Sequence, residues 1–423
     1  MKLFLNILLI YAILMAALGL AYDTANTLQY GAIDLRGRVV GARVFLDNKD
    51  PYFFKWQTET PDYYVDSRDI YADLPVSRLT VPPTVLLLHL PFAKINYKTQ
   101  QIGWAILQWL LLLLSVLFFA SSAQKLSKQK IIWIIGLLLI AASCYWRVHV
   151  EKGQIYILYV FLFALSYWLA VKKQKLLLSG IVLGINVALR PIFVLAFIPF
   201  ILNKRWKIIA GGIGSIIGML GFTFFFIPMK IWKSYLAALP YHESFHLLNF
   251  VPNIKVFPSN IVDGIKRFIY FSPDLAIEDS SLQDVIRIFF GIKIGSTFLQ
   301  LALMSFIVLS VLILYKKVSK ATNLTNIFLL GIAYVIVSEF FLPAARLSYS
   351  NVIWLPLFAL VVLKLRKLTN LLNWKYLLLI VAILFYQLFK LTPKLLIISD
   401  YFILFFVIIT LFSYHSNFRS SVK

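Results

Sequence analysis

The chain has 423 residues, of which 61% are hydrophobic and only 14% charged, against about 25% charged in an ordinary soluble domain. A soluble globule of this size cannot bury so much apolar surface, which excludes a cytosolic enzyme and a disordered chain. The single cysteine, Cys144, excludes an internal disulfide and a thiol-only metal site. A mean hydropathy of +0.82 leaves an all-α integral membrane protein with large loops.

The net charge of +23 is placed for a membrane, not for nucleic acid. Basic residues fall in short clusters between apolar runs: Lys125/Lys128/Lys130, Lys172/Lys173/Lys175, Lys204/Arg205/Lys207, Lys316/Lys317/Lys320 and Lys364/Arg366/Lys367/Lys375. None contains an acidic residue, which is the pattern of cytoplasmic loops. Nine of the 18 acidic residues lie in 22–80, and six more between Glu243 and Asp284. Those two segments are expected on the other side.

In chain order, residues 3–21 form an apolar run behind Lys2. Its small-residue ending also reads as a signal-peptide cleavage site, but about 19 apolar residues suit a spanning helix better. Residues 22–80 make a first outside (periplasmic) loop. Within it, 31–46 has helical spacing, with Ile33, Gly37, Val40 and Val44 on one side and Leu35, Val39, Ala42 and Leu46 on another. Arg36 and Arg43 lie between these patches, while Asp34 and Arg38 lie opposite them, so an interfacial helix flat on the outer leaflet is expected. The stretch from Asn48 to Tyr52 ends it with turn chemistry.

Residues 81–95 are apolar but short and broken by Pro82, Pro83 and Pro91, which predicts a re-entrant hairpin buried in protein. Spans follow at 103–120, 131–146 and 154–171. Residues 176–202 are one apolar run broken at Arg190-Pro191, which predicts a helical hairpin. Another span covers 207–228, and a second outside loop covers 229–285. Later spans are expected at 288–315, 325–343, 350–364, 375–390 and 394–412, giving about 10–12 transmembrane helices. Both termini are expected in the cytoplasm. No internal repeat of the kind found in secondary transporters is visible.

Ionisable groups at membrane depth are costly and therefore functional candidates. They are Asp34, His89, the group Arg147/His149/Glu151/Lys152, Arg190, Glu339 and Arg346. In this topology all but Glu339 sit at or near outer helix ends, so they converge on one membrane face. A transporter would place them nearer the midplane. Arginine, lysine and histidine at such a face could hold a lipid phosphate, and one carboxylate could take a proton from an attacking hydroxyl. No metal is needed for that chemistry. There is no Asp-x-Asp pair here for a metal-nucleotide, no Walker loop and no Gly-x-Gly-x-x-Gly fingerprint, which fits a substrate carried by lipid.

The order of features resembles the polytopic glycosyltransferases of the GT-C class, specifically the glycosyltransferase family 87 type. The resemblance rests on Ile33-Asp34-Leu35 with Ala42-Arg43 and Asp50-Pro51-Tyr52; on Val81-Pro82-Pro83 ahead of Leu90-Pro91; on Gly153-Gln154; on Gly180 and Gly184 with Leu189-Arg190-Pro191 and Lys204-Arg205-Trp206; and on Phe341-Leu342-Pro343 to Tyr349. Two departures stand out. The family usually has Lys-Pro where this chain has Arg190-Pro191, and often a histidine where this chain has Arg346, Ser348 and Tyr349. Val81 also stands where the family has tyrosine.

The resemblance implies a GT-C-like bundle in a bacterial plasma (inner) membrane, acting with inversion and without a metal or other cofactor. The donor would be a polyprenyl-phosphate sugar, with mannose before arabinose, and the acceptor a lipid-linked or other glycan. Asp34 would be the general base, Arg190 and Arg346 would hold the donor phosphate, and Gln154 would line the site. Arg36 meets either the donor phosphate or lipid headgroups. His89 and Tyr349 are further lining candidates.

Plainer readings stand beside these. Asp34 and Arg38 can be a surface i, i+4 pair. Arg190 can snorkel from a broken helix end. Arg346 can pair with Glu339, and His89 can be satisfied by neighbouring backbone. His242 and His246 have metal-pair spacing but no evident third ligand. The rival functions are a transporter or flippase of lipid-linked sugars and a non-catalytic scaffold.

Overall fold

The computed structural model describes residues 2–29, 32–55, 64, 75–246, 279–318, 323–365, 374–388 and 394–412, and these contain helices but no strand. The first span, α1 (Lys2–Gln29), is longer than its apolar run. Its last turns carry Asp23, Asn26 and Thr27, all buried against the bundle. Helix α2 (Ile33–Leu46) follows, then the hairpin helix α3 (Pro83–His89), with Pro83 at its first position where a missing N–H costs nothing. A 3-10 turn, Leu90–Phe92, completes the hairpin.

Helix α4 (Tyr97–Ser121) starts six residues before the expected 103, because the Asn96 side chain accepts the Lys98 N–H at 2.9 Å and caps it. Helix α5 (Leu126–Ile134) continues as a π-helical stretch, Ile135–Ala141, and then bends by 62° into α6 (Cys144–Glu151). Next come α7 (Tyr156–Val171) and α8 (Leu176–Leu189). The chain breaks at Arg190-Pro191 as the proline requires, returns through a 3-10 segment, Pro191–Phe197, and the short α9 (Ile198–Leu202), and rises again as α10 (Trp206–Phe226). Gly180 lets α8 lie directly on the backbone of Ile208 in α10, where a Cβ would strike that carbonyl.

Part of the segment expected as the second outside loop is helical: α11 (Met229–His246) precedes residues 247–278, which lie outside the described residues. The span expected at 288–315 is split. Helix α12 (Leu282–Phe290) ends at Gly291, whose φ of 68° is a left-handed cap, and α13 (Ser296–Val318) follows. Then come α14 (Leu324–Phe340), a 3-10 turn at Ser348–Ile353, α15 (Trp354–Lys364), α16 (Trp374–Gln387) and α17 (Lys394–Phe412).

Five helices are long and apolar enough to cross a membrane unaided, or six when α5 and α6 count as one bent span. The remaining apolar segments are 10–17 residues long, so by length the described residues supply fewer unaided crossings than the 10–12 expected. The reason is position. Helix α14 is buried along nearly its whole length, and α7 and α8 pack into the same core. An interior helix can end below the membrane surface, because the polar groups at its end are met by protein.

The bundle has two chemically distinct ends. At one, Lys128 Nζ donates to the Leu363 carbonyl at 2.8 Å, Asn203 Nδ2 to the Val318 carbonyl at 2.7 Å, and Tyr167 Oη meets Thr325 Oγ1 at 3.0 Å. This end gathers the basic turns before α5, between α7 and α8, and before α10. The other end gathers the starts of α2, α3 and α7, the break after α8 and the end of α14, and it holds the candidate site.

Candidate active site

Helix α2 packs against protein along most of its length. Arg38, expected on its solvent side, is 3% exposed. Its Nη2 donates to the Gly153 carbonyl, and its guanidinium lies 5.4 Å from the centre of the Trp104 ring. These contacts, rather than an ion pair with Asp34, occupy it. Burial pulls the Arg38 guanidinium below its ordinary value while the nearby Asp34 carboxylate pushes it back up. Arg43 points into protein as well, donating from Nε to the Ala93 carbonyl at 2.7 Å and from Nη2 to the Ile95 carbonyl at 2.9 Å. It fastens α2 to the proline hairpin.

The same hairpin is clamped from its other side. Asp50 Oδ1 accepts the Tyr52 N–H at 2.9 Å, and the fully buried Tyr52 donates its hydroxyl to the Val81 carbonyl, also at 2.9 Å. Burial, with Tyr235 and Asp50 close by, raises the Tyr52 phenol above its ordinary range. Thr84 Oγ1 donates to the Ala188 carbonyl at 2.6 Å, so the hairpin also meets the end of α8.

Asp34 stands in the first turn of α2, half-buried. Its N–H donates to the Lys152 carbonyl at 2.9 Å, and its Oδ2 accepts the side-chain amide of Gln154. No other side chain hydrogen-bonds this carboxylate among the described residues, and Asp34 is only partly buried. Gly153 makes the contact possible. Its φ is +66°, and a Cβ there would stand 2.7 Å from Leu35 and 3.1 Å from Ala32. Gln154 is in turn held by Trp104, whose Nε1 donates to its carbonyl at 3.2 Å. His89, 5% exposed, lies against Trp104 with ring centres 5.7 Å apart, and its Nε2 has no hydrogen-bond partner among the described residues. Arg36 lies 5.8 Å from the centre of the Tyr97 ring.

A chain of aromatic rings connects this corner to Arg190. Lys152 Nζ lies 4.9 Å from the centre of the Tyr349 ring, and Tyr349 meets Tyr156 edge-on at 5.7 Å. The Arg190 guanidinium lies 4.3 Å from Tyr156 and 5.5 Å from Tyr159. The structure therefore brings Asp34, Gln154, His89, Tyr349 and Arg190 into one neighbourhood.

The two arginines expected at a phosphate are both in ion pairs, and neither pairing was the expected one. Glu339 does not hold Arg346. It holds Arg190, accepting from Nε at 3.0 Å and from Nη2 at 2.7 and 2.8 Å. Arg346 is 3% exposed and contacts Asp400 and Ser280 through Nη1 and Asn351 through Nη2. Asp400 also accepts from Asn351 Nδ2 at 2.9 Å. Arg346 is closed off on all sides, whereas Arg190 keeps 18% exposure, and its Nη1 stands outside the ion pair.

Sequence reasoning missed Asp400, although an acidic residue inside the apolar run of α17 had to have a partner. It also missed Asp23, which sits in α1 and pairs with Arg147 at 3.0 Å and with the Trp109 indole at 2.9 Å. Of the His242/His246 pair, only the His242 side chain is described. No group of three histidine, cysteine, aspartate or glutamate side chains is placed to hold a metal among the described residues. A cavity of about 290 Å³ lies far from this chemistry, at the basic end, lined by Gln174, Lys175, Leu176, Leu177, Leu178 and Lys207.

Residues 80–261 match the sequence model of glycosyltransferase family 87. The match covers the proline hairpin, the Gly153-Gln154 turn, and the broken run with Arg190. It leaves Asp34, Glu339 and Arg346 outside the matched stretch. No curated protein and no solved structure matches. With the helical bundle, the family 87 match supports a membrane glycosyltransferase.

Proposed function

We propose that the chain transfers a sugar from a polyprenyl phosphate to a lipid-linked or other glycan acceptor, by one displacement with inversion. The observation that carries this reading is the half-open carboxylate of Asp34, steadied by Gln154 on one oxygen and joined through Tyr349 and Tyr156 to the cation of Arg190. In the proposed step, the second oxygen of Asp34 takes the proton of an acceptor hydroxyl as that oxygen attacks the anomeric carbon. The bond from that carbon to the phosphate oxygen breaks, and polyprenyl phosphate leaves with the electron pair. Arg190 Nη1 donates to the departing oxygens, where negative charge develops. One carboxylate suffices, because a double displacement would require a second as nucleophile.

Gln154 orients the base, and the rings of Tyr156 and Tyr349 offer apolar faces to a sugar. The proton acceptor and the cation are both protein groups, so the reading needs no metal. Arg346 is left out, since it is buried to 3% exposure and both its Nη groups are engaged by Asp400, Ser280 and Asn351. Mannose is the sugar we propose, on the family resemblance. The proposed site faces the extracytoplasmic side of a bacterial inner membrane, with both termini inside, a reading that the basic turns at the far end support.

The test is radiolabelled sugar transfer in proteoliposomes supplied with polyprenyl-phosphate sugars and membrane glycolipid acceptors. The reading expects label to move to the acceptor and polyprenyl phosphate to be released in equal amount. Movement of intact donor across the bilayer without transfer would establish a flippase instead.

A further inference from the structure

We propose that Glu339 is a tuning counter-charge. It holds Arg190 by one edge, leaves the other edge for phosphate, and keeps the phosphate affinity low enough for the polyprenyl phosphate product to leave. This rests on the reading of Arg190 as the donor-phosphate cation.

A guanidinium has five N–H groups in a planar fork. Glu339 takes the Nε and Nη2 side, so both N–H groups of Nη1 lie beyond the ion pair. Glu339 is 3% exposed, at the end of α14, so it cannot swing into water. Arg190 is held independently by the face of Tyr156 at 4.3 Å and by its place at the proline break after α8. Two effects therefore compete when Glu339 loses its charge. Orientation is weakened only in part, because the tyrosine face and the backbone break remain and a glutamine carbonyl still accepts one N–H. Repulsion is removed altogether, because a carboxylate one guanidinium-width from a phosphate is weakly screened in a buried site. The second effect is the larger, so a neutral residue at 339 tightens phosphate binding and slows product departure.

The experiment titrates farnesyl phosphate, a soluble polyprenyl phosphate, against the purified protein in detergent and follows intrinsic tryptophan fluorescence. Glu339→Gln is expected to lower Kd roughly tenfold, which corresponds to about 1.4 kcal/mol. Glu339→Ala is the second neutral variant and shifts Kd in the same direction. Glu339→Asp keeps the charge and binds within about twofold of the wild type. In Arg190→Ala the gain from Glu339→Gln disappears, since the effect acts through that cation.

In the transfer assay, Glu339→Gln is expected to show a normal first turnover followed by slowed steady turnover. A wild type that binds farnesyl phosphate while the neutral variants bind equally or more weakly overturns the counter-charge role and leaves the donor reading standing. A tightening in Glu339→Asp equal to that in Glu339→Gln also overturns it, because packing would then be the cause. A wild type that binds no farnesyl phosphate overturns both.

Discussion

The two buried arginines at the site end of the bundle are alike in sequence and opposite in structure. Arg190 follows α8 at a proline break, and Arg346 follows α14 three residues after Pro343. Each pairs with a carboxylate buried to 3% exposure. Around Arg346 the network closes: Asp400, Asn351 and Ser280 surround the guanidinium, and the Ser280 N–H returns to the Arg346 carbonyl at 3.1 Å. Around Arg190 it stays open, with one carboxylate on one edge and tyrosine rings on the face. A buried cation is available to a ligand only where its partners leave donors at an exposed edge, and Arg190 keeps 18% exposure where Arg346 is sealed. Charge and helix position do not reveal that.

The contrast can be tested with substitutions. The largest effect is expected at the open side. Asp34→Asn lowers transfer roughly 10²–10⁴-fold and leaves the thermal midpoint near that of the wild type, because Gln154 is the one side chain hydrogen-bonded to the carboxylate among the described residues; a sugar-transfer assay with a melting curve reads both. At the closed side the loss is in stability. Arg346→Ala leaves Asp400 buried without its cation, at a cost of about 3–5 kcal/mol. Unfolding in detergent measures this, and transfer per folded molecule stays near normal.

Gln154→Ala removes a hydrogen bond to a charged group, worth about 1.5–3 kcal/mol, and lowers kcat with little change in donor KM. Gly153→Ala acts on the base only through the backbone. It puts a Cβ against Leu35, adds about 1–2 kcal/mol for the left-handed backbone alone, and pushes the start of α2 away from the turn that orients Asp34. Lower transfer with a lowered thermal midpoint is the expected result.

Much of the architecture was legible in local patterns. The proline hairpin, the helix at 33–46 and the break at Arg190-Pro191 follow from residue types within a few positions of each other, as turn and helix chemistry does. The neighbourhood of Asp34 and Gln154 was legible only through the family resemblance, for nothing local links residues 120 apart. The ion pairs were beyond reach, since Arg190 and Glu339 are 149 residues apart and Arg346 and Asp400 are 54 apart. Helix α2 misled for a physical reason. Its charged side faces not water but the Gly153 turn and the Trp104 ring, so a polar stripe marked a protein interface. The number of unaided crossings came out lower because hydropathy does not distinguish a helix facing lipid from one enclosed by other helices.

The most direct test is a cryo-electron microscopy structure of the protein in lipid nanodiscs with a polyprenyl phosphate bound. The account predicts phosphate oxygens within about 3 Å of Arg190 Nη1, on the side of the guanidinium away from Glu339, with the open oxygen of Asp34 facing the same space. A phosphate seated against Arg346, or in the lysine-lined cavity at the opposite end of the bundle, would contradict it.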